Sequence, residues 1–375
     1  MFAHYYFDCL VDDRPDKMSF EKKSSLLDRP LPHGPFSAAG PVRDHGADIA
    51  KAMAIVLVFL WHVKPVRDFC VLTNLFYCDI TLIAVPLFYL VSIYLFIQKS
   101  VQKKWYGVRR TGRVLRMYIA WTALQYVAFI VVTLSGLFPH FPRDFSFVFN
   151  FRALRMGGPV LPGVGDPVFY FLFNLAAFFL ITQALLWLPR FLQVIVSIAV
   201  VFFTAGVFFF PHTEFGYWDI RNFLVYIPCA LLFAQKKGAK NLWWIAGILY
   251  VTAIIFQRTG LLPQVGGIYS RPSIIFGAVA VFSCALSVNF GKEPGLVKWL
   301  SENSLWIFGL HKYCQLASIV LWSFLSHKSI GFSEFFIARI PIDPGNLFVF
   351  FLTASLTFAA TTALPRARFL KKALY

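Results

Sequence analysis

Charge is what this sequence has least of. Of its 375 residues 14% are charged and only 18 are acidic, while 58% are hydrophobic and Phe alone occurs 44 times. An average soluble protein carries about 25% charged residues. A chain of this length would fill roughly two soluble domains, and so few charges cannot cover the surfaces of two. That excludes a soluble globular protein, and the apolar content excludes a disordered one. The six cysteines, at 9, 70, 78, 229, 284 and 314, form no CxxC pair and have no His at metal-ligand spacing. A disulfide scaffold is excluded and no metal site is expected. Cys70 and Cys78 fall in or near one outer loop and read either as a disulfide or as two unrelated thiols. Residues 1–45 hold no apolar segment of the signal-peptide kind, and the chain shows no internal repeat.

What is present is a series of apolar runs, each about 20 residues long, the length that crosses a bilayer as a helix. They predict an all-α integral membrane protein, a polytopic bundle of about ten transmembrane helices. The expected spans are 48–64, 72–97, 114–136, 166–188, 191–210, 219–235, 241–257, 272–290, 303–325 and 345–364. Residues 1–45 read as a polar cytoplasmic tail, and 366–375 as a basic cytoplasmic C-terminal tail. Met18 offers a second start, in which case residues 1–17 do not belong to the native chain. With the N-terminus inside, the inner segments carry 24 Lys and Arg and the outer ones ten. This bias follows the positive-inside rule and puts both termini in the cytoplasm. It also accounts for much of the net charge of +17 without nucleic acid. The basic stretch 102–116 adds contact with anionic lipid headgroups.

Ionisable groups inside a bilayer cost a few kcal/mol each and mark function or a buried pair. The first span holds Asp48, Lys51 and His62. At 100° per residue Lys51 lies about 20° and Asp48 about 40° from His62, so all three share one helix face. Asp48 lies roughly 21 Å and Lys51 about 16 Å below His62 along the axis. The face therefore has a charged cytoplasmic foot and one imidazole at its outer end. His62 has two readings. It is an interfacial side chain beside Trp61 in an aromatic belt, or it is a general base whose apolar surroundings keep it neutral. The second reading requires a group on another helix to fix its tautomer.

The spacing Asp48-x-x-Lys51-x(10)-His62 resembles the first-helix signature of the membrane-bound acyltransferase-3 family, which reads Asp-Gly-Leu-Arg, an apolar run, then His. Val85-Pro-Leu-Phe-Tyr-Leu-Val-Ser92 resembles the family's second-helix Phe-Phe-x-x-Ser-Gly stretch. Arg109-Arg110-x-x-Arg113-x-x-Arg116-x-Tyr118 is similar to the basic entry to its third helix. Ser304-Leu-Trp-Ile-Phe-Gly-Leu-His311 is similar to its late Ser-x-x-Ile-Tyr-x-x-His. Two positions depart from the pattern. Lys51 stands where many members have Arg, and a Lys cannot form the bidentate fork with an anion; Lys there resembles a fucose-acetylase-like branch. Ile93 replaces the Gly after Ser92.

The resemblance implies an acyltransferase domain over 46–365 that moves acetyl from acetyl-CoA to a hydroxyl of an exopolysaccharide, a surface glycan or a lipid-linked precursor. Acetyl-CoA enters as acyl-donor substrate, and no bound cofactor is implied. His62 is the expected catalytic base. Asp48, Lys51, Arg113 and Arg116 are the expected donor-binding residues at the cytoplasmic foot, because a polyanionic nucleotide needs cations there. Ordinary positive-inside residues remain the other reading of the arginines. His311 and Ser92 are candidates for holding or orienting the acceptor, against helix packing for both. The outer stretch 137–165, rich in aromatics, Arg and Gly, reads either as a lid over a glycan or as an idle loop. The setting implied is a multi-pass protein of a plasma membrane, the bacterial inner membrane, with lipids and a polysaccharide-synthesis complex as partners and no nucleic acid. A transporter or flippase of lipid-linked sugars fits the apolar spans equally well, but gives no reason for the Asp48/Lys51/His62 spacing. A scaffold subunit of a synthase complex is a third reading.

Overall fold

The computed structural model describes residues 44–65, 70–102, 105–138, 151–209, 216–235, 237–262, 268–288, 294–326 and 344–364. The N- and C-terminal tails read from the sequence lie outside these, apart from residues 44 and 45. Among the described residues 86% are helical and no strand forms. The helices are α1 (His45–His62), α2 (Val71–Leu75), α3 (Ala84–Gln102), α4 (Tyr106–Ser135), α5 (Phe151–Met156), α6 (Tyr170–Trp187), α7 (Arg190–Phe209), α8 (Tyr226–Gln235), α9 (Trp243–Arg258), α10 (Pro272–Ser287), α11 (Gly295–Ser326) and α12 (Pro344–Ala363). Each apolar run of the sequence carries at least one of these helices. Among the described residues six segments are long and apolar enough to cross a membrane: His45–His62, Val71–Val101, Tyr106–Ser135, Tyr170–Trp187, Arg190–Phe209 and Gly345–Ala363.

Helix α1 is the hub, packed against α3, α10 and α11. Its start is fixed by Asp44, whose Oδ1 accepts from the Ala47 N–H at 3.1 Å while Oδ2 accepts from the Tyr94 hydroxyl at 2.7 Å. One acid thus caps α1 and ties it to α3. The buried side of α1 is built from Gly46, Ala47, Ala50, Ala54, Ile55 and Val58. The small residues let backbones approach: a Cβ at Gly46 would sit 2.7 Å from the Ala285 carbonyl oxygen of α10. At the other extreme, α7 buries only Thr204, Val207 and Phe208. It exposes Phe191, Val194, Ile195, Ile198, Val201 and Phe202. An apolar surface of that extent suits lipid and not water.

Two expected spans have different limits in the structure. The run 72–97 is not one regular helix. Between α2 and α3 the chain makes a π-turn, Phe76–Ile80, and a 3-10 turn, Thr81–Ile83. π-turns are rare and occur mostly as single turns within helices. Here Asp79 is 5% exposed and is paired to Arg258 of α9 at 2.6 Å. The third span also begins earlier. Helix α4 starts at Tyr106, ahead of the apolar run at 114, because Gly107, Thr111, Val114 and Met117 already form a buried stripe.

The Asp79–Arg258 pair holds the irregular turn against α9. Arg258→Gln leaves a buried carboxylate without its guanidinium. The expected cost is about 1–3 kcal/mol, below that of a fully buried pair because the Arg258 side chain is partly solvated. It is read as a lower thermal midpoint in detergent, and adding Asp79→Asn should restore part of the loss.

Candidate functional site

The site forms where α1 ends. His62 is the last residue of α1, and its backbone carbonyl accepts from Nε2 of Gln315 on α11 at 2.9 Å. At the other end of α1, Asp48 accepts from the Ser301 hydroxyl, also on α11. Both ties join residues 253 apart in sequence. Equal separations at both ends mean that α1 and α11 run parallel, in step, over about 21 Å of helix.

That register brings His311 to His62. Their ring centroids are 5.1 Å apart, with the planes inclined at 39°. His311 is completely buried, with Phe59 and Phe308 rings 6.4 Å and 6.2 Å away. Its Nδ1 lies 3.1 Å from the Ile307 carbonyl oxygen and 2.9 Å from that of Phe308. Both partners are acceptors, so Nδ1 carries the proton, and in the neutral ring Nε2 keeps its lone pair. Among the described residues Nε2 has no hydrogen-bond partner.

Beside the two rings lies a cavity of about 280 Å³, lined by Trp61, His62, Asp166, Tyr217, Tyr269 and Lys312 among others. By composition the stretch 137–165 reads as a lid or an idle loop. Residues 139–150 of it lie outside the described set. Of the remainder, residues 156–165 pack into the bundle: Met156, Leu161 and Val164 are buried, while Phe151 and Leu154 are exposed. Gly157 and Gly158 have φ of 90° and 125°, and a Cβ on them would come within 2.3 Å of Phe169 and 2.5 Å of Gln125. Only glycine permits that path. Irregular backbone at such depth is tolerated where protein buries it and its polar groups are satisfied. The Pro159 carbonyl accepts from Gln125 Nε2 at 2.8 Å, and the Val164 carbonyl accepts from Lys312 Nζ at 2.8 Å. The segment delivers Asp166 to the cavity, where its carboxylate accepts from the Tyr217 hydroxyl at 2.9 Å. Burial, and then the Asp166 charge, push the Tyr217 phenol well above its ordinary value, so it remains a donor.

The other sequence candidates are placed as follows. Lys51 is half-buried on α1, one turn beyond Asp48, and neither lines the cavity. Arg113 and Arg116 are exposed on α4, outside the cavity wall. Ser92 is half-buried on α3 between the fully buried Val91 and Ile93. His140, His212 and His327, which the sequence offered no role, lie outside the described residues. Among the described residues no three His, Cys, Asp or Glu side chains gather as a metal site. Sequence reasoning did not single out Lys312, Asp166, Tyr217 or Tyr269 for the site. Lys312 carried a signal, as a cation in the middle of an apolar run. The two tyrosines carried none, being two among 15.

This arrangement can hold a small polar group against one imidazole, with a second imidazole behind it and an ammonium alongside. A family model described as an acyltransferase domain matches residues 44–364. The chain belongs to the acyltransferase-3 family: it is a multi-pass membrane protein with a transferase role. No curated protein and no solved structure matches it.

The Gln315 amide is the tie nearest the rings. Gln315→Glu, nearly isosteric, would set a carboxylate oxygen against the His62 carbonyl. The expected loss is about 1–3 kcal/mol, read as a lower thermal midpoint in detergent, with Gln315→Met less affected.

Proposed function

We propose that this protein is an integral-membrane O-acetyltransferase. It moves acetyl from acetyl-CoA to a hydroxyl of an exopolysaccharide, a surface glycan or a lipid-linked precursor. The observation that carries the reading is His62 at the wall of a cavity with the His311 ring 5.1 Å away, in a chain of an acyltransferase family. A base needs access to the proton it takes and a neighbour that fixes its ring. The cavity supplies the first and α11 the second.

In the proposed reaction the nucleotide of acetyl-CoA docks at the cytoplasmic foot. Lys51, Arg113 and Arg116 supply positive charge there, and Asp48 fixes the foot of α1 to α11. The exposure of Arg113 and Arg116 suits a ligand arriving from outside the bundle. The acyl arm extends toward His62, about 16 Å from Lys51 along α1. His62 takes the proton of the acceptor hydroxyl as the oxygen attacks the thioester carbonyl. His311 packs against the His62 ring, and Ser92 of α3 is the acceptor-orienting candidate. Lys51 in place of Arg favours the fucose-acetylase-like branch, in which a point charge meets the anion.

The proposed topology has ten spans, both termini in the cytoplasm and an inner membrane of a bacterium as its setting, within a polysaccharide-synthesis complex. The parallel run of α1 and α11 supports it. With alternating crossings, the first and ninth spans must point the same way.

The test is transfer of labelled acetyl from acetyl-CoA to candidate glycans by purified protein. His62→Ala is expected to lose at least about 100-fold in kcat with its thermal midpoint kept. Substantial remaining transfer would refute the role of His62.

A further inference from the structure

We propose that Lys312 is the electrophilic catalytic residue of this site, its ammonium stabilising the oxyanion that forms when the acceptor oxygen adds to the thioester carbonyl. The inference rests on the acyl-transfer reading and adds a group that reading lacks.

Lys312 is 8% exposed in an apolar helix. Such a charge is costly unless it is held by partners or used. Its Nζ donates to two backbone carbonyls, Val164 at 2.8 Å and Asp166. No ion pair joins it to a carboxylate among the described residues. The nearest acid, Asp166, spends its carboxylate on the Tyr217 hydroxyl at 2.9 Å. An ammonium has three N–H donors. Two are taken by carbonyls that belong to a rigid, glycine-shaped segment. The third is left to the cavity that Lys312 lines together with His62. A structural pin needs no charge, since an amide would satisfy the same carbonyls. A donor that is charged, held at two points and open to the cavity is what a developing oxyanion requires.

Helix geometry explains how both groups come from α11. Consecutive residues point about 100° apart. His311 therefore meets His62 while Lys312 turns toward the 164–166 segment. The step balances as follows. The acceptor O–H proton passes to His62 as the C–O bond forms. The carbonyl electron pair moves onto oxygen, where the Lys312 N–H meets it. Collapse re-forms the carbonyl and breaks the C–S bond. The departing thiolate takes the proton back from His62, leaving an ester and free CoA thiol.

The test uses the full chain in detergent, with labelled acetyl-CoA and an acceptor on which the wild type is active. Lys312→Met keeps the length of the stem and removes the donor. Its kcat should fall about 100- to 1,000-fold while KM for acetyl-CoA stays within about threefold. Lys312→Gln retains a neutral donor for the segment carbonyls and guards against a variant that fails to fold; the same kcat loss is expected. Lys312→Ala should regain transfer with added ethylammonium. A pin alone would lower the thermal midpoint or raise KM and leave kcat intact. Retention of kcat within about threefold in either Lys312→Met or Lys312→Gln overturns the proposal and leaves the acyl-transfer reading standing. A wild type inactive with every acceptor overturns both.

Discussion

The parallel register of α1 and α11 is the constraint on which the site depends. Two hydrogen bonds set it, one from Ser301 to Asp48 and one from Gln315 to the His62 carbonyl. Each of these contributes little alone, on the order of 1–2 kcal/mol. Placed 14 residues apart at both ends, they remove the freedom of one helix to slide or turn against the other. A slip by one residue would rotate His311 by about 100° and part it from His62. The charge of Asp48 thus has a structural use at the foot of the helix, whatever ligand arrives there.

The second device is the buried segment between α5 and α6. It contributes carbonyls where an apolar bundle has few acceptors to offer, and Lys312 takes two of them. Its path depends on Gly157 and Gly158 at positive φ and on the Gln125 amide that holds Pro159. Gln125 in turn accepts from the Tyr313 hydroxyl at 2.9 Å, so the segment, α4 and α11 share one polar network. In a medium without water, satisfying the backbone is a condition for burying irregular chain at all. The polar groups around the cavity follow from that requirement as much as from chemistry.

Particular residues show how far the sequence could be read. His62 and Asp48 stood out because a charged or imidazole side chain in an apolar run is expensive, and their period placed them on one face. Asp79 is more deeply buried than either, yet inside an expected span it carries no local sign of a role, because its partner Arg258 is 179 residues away. The stretch 137–165 reads from its aromatics, Arg and Gly as a lid or an idle loop, both of them surface features. Part of it is in fact buried, a fact that composition cannot carry. Arg113 and Arg116 were legible as a basic cluster, but their exposure on α4 came only with the fold. His311 was legible as a late histidine, and its ring contact was not.

By itself the sequence determined the medium, the helical class and the face of the first span, since scarcity of charge, run length and a 3.6-residue period are local properties. The tertiary structure alone decided which helices run side by side, that His311 and Lys312 reach the end of α1, and that a glycine-rich connection turns inward. They rest on contacts between residues distant in the chain, from 34 positions for Gln125 and Pro159 to 253 for the two ties of α1 to α11. They are set by packing and by the need of each buried polar group for a partner, and no local pattern records them.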